Sequence, residues 1–177
     1  MSVVTLFSGS RCRGDAVSAA VAGELDYPVA VDAQLIDDAS RRCGLSADSL
    51  RRALTEPPSL LNSFTHERER CVACLKLALA QRLQGDNLVY HGFAGHLVSP
   101  GISHVLRVCL IANHDYRVRE TMQALDMSER QATKTLQKED EQRYRWVYSL
   151  KKKKPWDPQL YDMLLPMHDR TVDEAGA

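Results

Sequence analysis

Residues 3 to 22 read VVTLFSGSRCRGDAVSAAVA. The opening VVTLF is an apolar, β-branched run of strand character. The turn formers SGSRCRG follow, and AVSAAVAGEL then spaces its apolar residues as a helix does. The order is strand, loop, helix. Within the loop, Gly9 and Gly14 stand at the spacing of GxxxxGK[ST], in which glycines let backbone N–H groups wrap a phosphate. That motif also needs a lysine for the outer phosphates and a hydroxyl for magnesium, and here Asp15 and Ala16 occupy those positions. Arg11 and Arg13 return positive charge to the loop, and Ser10 offers a hydroxyl. An ordinary strand-to-helix turn carrying two solvated arginines remains the alternative.

The alternation continues outward from this stretch. PVAV at 28–31 is a second strand, closed by Asp32, which reads as the N-cap of the helix QLIDDASRRCGLS. Gly44 stops that helix, and Ser46 opens a shorter one that Pro57 and Pro58 break. Leu60 to Leu83 reads as one long helix. NLVYH at 87–91 is the third strand. HVLRVCLIA at 104–112 is the fourth, apolar enough to predict burial on both faces. Two helices follow, DYRVRETMQALD and ERQATKTLQKEDEQRYRWVYSL, the second opened by a Ser128–Gln131 capping box. On it, Tyr144 and Tyr148 share a face expected to pack on the core, and the lysines from 151 form a solvated loop. YDMLLPM at 161–167 is the fifth strand, and Thr171 with Glu174 caps a last helix. Such alternation predicts an α/β fold with a parallel sheet, β1 central, whose ligands bind at the carboxyl ends of the strands.

Composition agrees with one globular domain over 1–177. Lys plus Arg and Asp plus Glu are 23 each, so the overall basic excess of a nonspecific nucleic-acid binder is missing, and no specific nucleic acid is expected as partner. No apolar run approaches a bilayer span, and MSVVTLFSGS is no export leader, so a cytoplasmic protein without a membrane partner is expected. A helix starting so near Ala177 gives two expectations: truncation at the C-terminus, with an additional domain in a longer chain, or a frayed natural terminus. The cysteines, five in number, read as free thiols, with Cys71 and Cys74 of the single CxxC both in the core. His91 ends the third strand and His96 follows it. No carboxylate or cysteine stands at metal-ligand spacing, so hydrogen-bonded histidines are expected and no metal ligand is assigned.

Taken in order, these segments resemble the cytidylate kinase-like family of P-loop proteins over nearly the full chain. The family loop S-x-x-x-G-S-G-G-[RD]-E-I-A is matched in layout, with Gly14-Asp15 at the Gly-[RD] and with Arg11 and Arg13 replacing two glycines. DYPVAVDAQLID matches G-x-P-x-x-D-x-x-L-I, with Asp32 at the aspartate. NLVYHGFAGHLV matches the third strand and its glycine turn, with Phe93 replacing a common arginine. HVLRVCLIANHDYRVRETM carries Arg117 at the family arginine. SERQATKTLQKEDEQRYRWVY resembles the lid, with Lys138, Asp140 and Arg143 in place, and PWDPQLYDMLL matches the closing strand.

The resemblance implies a three-layer P-loop kinase-like fold with a five-stranded parallel sheet, a helical acceptor-side flap at about 33–84 and a lid at about 128–150. It implies phosphoryl transfer from ATP, with magnesium, to CMP or dCMP. Gly9, Ser10, Arg11, Cys12, Arg13, Gly14, Asp15 and Ala16 would hold the nucleotide phosphates. Asp32, His91, Gly92, Lys138 and Asp140 would face the substrate. Arg143, Arg117 and Asp32 would be catalytic, because phosphoryl transfer rests on positioning and cationic stabilisation. Asp32 could also hold a magnesium-bound water. A second class stays open: a P-loop module that binds a nucleotide or a protein partner without turnover, as Asp15, Ala16 and Phe93 would allow.

Overall fold

The computed structural model describes residues 2–56 and 66–177. Strand β1 (Val3–Ser8) pairs in parallel with β3 (Leu88–His91) on one side and β4 (Val105–Ile111) on the other. β2 (Val29–Val31) extends the sheet beyond β3, and β5 (Met163–Pro166) extends it beyond β4. The order is β2-β3-β1-β4-β5, so β1 is central, as the alternation of strands and helices predicts. The helices are α1 (Gly14–Leu25), α2 (Asp32–Cys43), α3 (Ala47–Thr55), α4 (Glu67–Leu83), α5 (His114–Leu125), α6 (Glu129–Lys151) and α7 (Val172–Gly176). Pro57, Pro58 and the expected helix start at Leu60 lie outside the described residues.

The strand period of two divides the core into two layers. On one face Val3, Phe7, Tyr90 and Cys109 pack with Leu35, Leu50, Leu75 and Trp146 of α2, α3, α4 and α6. On the other, Val4, Leu6, Val89 and Leu110 pack with Val17 and Ala22 of α1. Trp146 is buried, and its indole N–H donates to the Phe93 carbonyl at 2.7 Å. Because all strands run the same way, the ends of β1, β2, β3 and β4 meet at one edge, where the turns into α1, α2 and α5 also begin.

Several local expectations hold. Gly44 caps α2 with φ 66°, Ser46 accepts from the Ser49 amide, and the Ser128–Gln131 and Thr171–Glu174 boxes are formed. Others are corrected. The N-cap of α2 is Val31, and Asp32 is its first helical residue with its carboxylate turned to other work. β4 is not buried on both faces throughout: Leu106 is 39% exposed, because it lies outside the layer that Val108 and Leu110, on the same face, form with α1. Tyr144 and Tyr148 do not join the core. They stack on each other, 41% and 45% exposed, while Trp146 and Val147 turn inward from the same helix.

The cysteine reading also changes. Cys71 is buried, but Cys74 is bonded to Cys43, tying the end of α2 to the middle of α4, with Cα atoms 6.3 Å apart. Helical spacing places Cys71 and Cys74 on neighbouring positions of α4 but is silent about the helix opposite. The closed loop spans a sequence separation of 31, for which chain entropy suggests about 3–4 kcal/mol of stabilisation over the reduced form. Thiol titration in denaturant should therefore find the three free cysteines, Cys12, Cys71 and Cys109, before reduction and all five afterwards. Five reactive thiols without reductant would refute the bridge.

His96 sits in the 3-10 turn Phe93–Leu97, beneath the sheet edge, with its ring nitrogens 3.3 Å from the Phe93 carbonyl and 3.0 Å from the Tyr161 hydroxyl. Burial pushes its imidazole down to about 4. In the unfolded chain a histidine takes its proton near 6.5, so the unfolded state binds the proton first as pH falls. The contribution is full above about 6.5, is lost between there and about 4, and amounts to about 3 kcal/mol. Chemical-denaturation midpoints should fall across that window in the wild type and much less in His96→Gln. Equal slopes in the two proteins would show that His96 is not the group responsible.

Candidate functional site

The carboxyl end of β1 runs directly into the loop, and the loop's geometry depends on donors from elsewhere. The Gly9 amide donates to the Leu110 carbonyl of β4 at 2.9 Å. Arg143 of α6 donates from Nε to the Ser8 carbonyl at 2.9 Å and from Nη1 to the Glu139 carbonyl at 3.1 Å. Arg117 of α5 donates from Nε to the Ser10 carbonyl at 2.9 Å, and its Nη2 meets Asp140 at 2.6 Å. The two arginines thus brace the loop as well as charge it. Arg143 also lies over the Phe93 ring, 5.4 Å from its centroid. Burial lowers its guanidinium from the ordinary arginine value, with Glu139 and Asp140 acting in the opposite sense.

Arg11 and Arg13 have φ of 62° and 56°, the left-handed region that glycine enters without a Cβ penalty. These are the two positions where the resembled family carries glycine. Holding an arginine there costs roughly 1–2 kcal/mol each. Arg13 is secured by Glu120, with Nε and Nη2 contacts of 3.3 and 3.1 Å, and it lies over Tyr116. Gly14 is required at its place: a Cβ there would collide with Ser8 Oγ and with His91 Nε2. The first amides of α1, from Gly14 onward, have no intrahelical acceptors and carry the positive end of the helix dipole. Cys12 is buried beside them, and burial pushes its thiol up to about 11, so it is inert as a nucleophile.

Asp32 accepts three hydrogen bonds: from the Phe93 amide at 2.7 Å, the Ala94 amide at 3.1 Å and the Tyr90 hydroxyl at 2.5 Å. The carboxylate thereby pins the turn after β3 to the start of α2. Gly92 is needed because a Cβ would overlap that carboxylate. His91, the last residue of β3, bonds Ser8 Oγ through Nε2 and Asp15 through Nδ1, each at 3.1 Å.

Loop residues Gly9 to Ala16, with Asp32, His91, Gly92 and Arg143, line a single cavity of about 740 Å3 at the carboxyl edge of the sheet. Arg117 and Asp140 stand behind it as an ion pair. Lys138 is apart from it, exposed on α6, lining a separate cleft with Lys134, Arg145 and the end of α3. Ser8, Tyr90 and Phe93 are parts of the site that the sequence reading does not assign. Ser8 had a signal, since it abuts the loop. Tyr90 had none, because an inward strand tyrosine is ordinary core.

The residues present do not fit a magnesium ion held directly by the chain. Ala16 offers no hydroxyl, and the Asp32 oxygens are occupied by donors of the protein. Among the described residues, no three of His, Cys, Asp or Glu converge as a metal site. Among these residues also, no helix is long and apolar enough to cross a membrane.

Comparison with solved structures shows the same fold elsewhere. An uncharacterized protein from Eubacterium ventriosum superposes with a TM-score of 0.75 at 13% identity, covering 99% of this chain and 94% of that one. A shikimate kinase from Bacteroides thetaiotaomicron gives 0.57 at 11% identity over 99% and 94%. A gluconokinase from Sinorhizobium meliloti gives 0.55 at 12% over 99% and 87%. No curated protein sequence matches the chain. The family model for the cytidylate kinase-like family matches residues 3–169, and with its five-stranded parallel sheet of P-loop kinase type the chain belongs to that family.

Proposed function

We propose that the cavity at the end of β1 binds the phosphates of ATP and that the protein transfers the terminal phosphoryl group to CMP or dCMP. One observation carries the reading: a cationic side chain from α6, Arg143, stands over the loop and forms no ion pair among the described residues. Family membership supports the reaction class. In this reading α2 to α4 form the acceptor-side flap and α6 the lid. Arg143 is the catalytic cation, and Arg117 acts beside it while holding the loop. The loop from Gly9 to Ala16 holds the donor phosphates. His91 and Gly92 lie at the substrate face, with Asp32 shaping it. Lys138 and Asp140 sit on the lid. When bound, magnesium would offset charge on the phosphates, and it would arrive held by the nucleotide and water. A cytoplasmic setting belongs to the same proposal.

A second reading is favoured by the same geometry seen from the other side. Both arginines already donate to loop carbonyls, and no lysine or hydroxyl stands at positions 15 and 16. Such a module would bind nucleotide without turnover. A coupled ADP-release assay with ATP, magnesium and a panel of monophosphates separates the two. Turnover with a cytidine monophosphate supports the kinase. Thermal stabilisation by ATP with no turnover supports the binding module, and neither effect would end both.

The half-buried, hydrogen-bonded placement of Arg143 changes what its replacement should do. A solvated lid residue would cost little to remove. Here Arg143→Ala leaves the Ser8 carbonyl without its guanidinium donor, while Glu139 keeps its backbone donor within α6, so stability should fall by about 1–3 kcal/mol. Turnover should fall about a thousandfold or more if the guanidinium meets the transferring group. Arg143→Lys keeps a charge and part of the bracing, and should recover stability more than turnover. Wild-type turnover in a folded Arg143→Lys protein would remove Arg143 from the chemistry.

A further inference from the structure

The loop lacks its lysine, yet a titratable base borders it. His91 is only 14% exposed, and its ring rests against Gly14 so closely that a Cβ on that residue would strike Nε2. It lines the same cavity as the loop. A carboxylate only accepts hydrogen bonds, so the bond to Asp15 puts the ring proton on Nδ1. Nε2 then accepts from the Ser8 hydroxyl. This Ser8–His91 pair borders Gly14 at the positive end of α1, where a phosphate would be drawn by the helix N-terminus. A phosphate oxygen is also an acceptor. If the Ser8 hydroxyl turns its proton to that oxygen, Nε2 and Ser8 Oγ are left facing each other as two acceptors unless Nε2 gains a proton.

We propose that His91 is a switchable cation of the phosphate loop: when an oligophosphate enters, the ring takes one proton from solvent and donates Nε2–H to Ser8 Oγ, the Ser8 hydroxyl turns its own proton to the phosphate, and the imidazolium supplies the charge of the absent lysine. The proposal rests on the reading of the cavity as a phosphate site. The groups facing the ring act in both directions. Asp15 of α1 and Asp32 of α2 favour the cation, while Arg143 of α6 and above all burial oppose it. The balance places the free imidazole below its ordinary value, hence uncharged at neutral pH. Asp15, 98% exposed at its side chain, is free to yield ground to an incoming anion without loss of packing.

The sign follows from linkage. A bound phosphate raises the imidazole above its free value, so binding takes up a proton between the two values. Affinity rises as pH falls through the bound value, by at most about tenfold per pH unit for one proton, and levels below the free value. The test is calorimetric titration with inorganic pyrophosphate and with ADP, from pH 5 to 9, in buffers of different ionisation enthalpy. Wild type and His91→Gln are compared, because the variant reports the proton uptake that belongs to the ligand itself. Wild type should take up more protons than the variant, approaching one extra proton, and its affinity should climb more steeply toward low pH. Histidine NMR on the wild type guards against a misfolded variant: one ring should titrate higher with ADP present. If both proteins bind with the same proton uptake, or no ring titrates higher, His91 is not the cation although the site is real. If neither probe binds at any pH, the phosphate reading fails and this proposal with it.

Discussion

A buried central strand must end somewhere, and the backbone groups beyond its last ladder bond still need partners. In this protein that requirement organises the site. Past Ser8 the chain leaves the sheet, and the carbonyls of Ser8 and Ser10 are met by guanidinium groups from α6 and α5. The arginines come from helices about a hundred residues away in sequence, so the loop is shaped only when the sheet and both helices are assembled. Charge at the site and order in the loop are one feature. A residue that stabilises a phosphate here cannot be separated from one that holds the backbone.

The loop differs from a glycine-built phosphate loop in how it reaches its shape. Arg11 and Arg13 take left-handed backbone conformations that glycine would take without penalty. The Arg13–Glu120 pair and the contact with Tyr116 tie that strain to α5. Asp32 does the parallel work on the other side. Its three donors fix the turn after β3, which in turn fixes His91 and Phe93 against the loop. The result is a site with a rigid rear wall and an open face.

The Cys43–Cys74 bridge sits away from that wall, between the two helices α2 and α4 that flank the acceptor side in the proposed function. It joins elements that otherwise meet through Leu35, Ala39, Leu75 and Ala78. Cysteine count and helical spacing give no sign of it, because the two cysteines come from helices that only the fold sets side by side.

The sequence by itself determined the strands and their alternation with helices, because apolar period and turn chemistry act within a few residues. It also marked the loop, Asp32, His91, Arg117 and Arg143 as chemistry-bearing. What those residues touch was decided only in three dimensions. Asp32 reads locally as a helix cap, yet its carboxylate faces the turn after β3, brought near by parallel pairing. Arg143 reads by resemblance as a catalytic lid residue, yet its guanidinium also holds a carbonyl at the end of β1. Tyr144 and Tyr148 read as core because i and i+4 share a face, but periodicity does not say which face meets the sheet. Cys74 shows the same limit: helical spacing gives its direction on α4, and only the packing of α2 beside it supplies the partner.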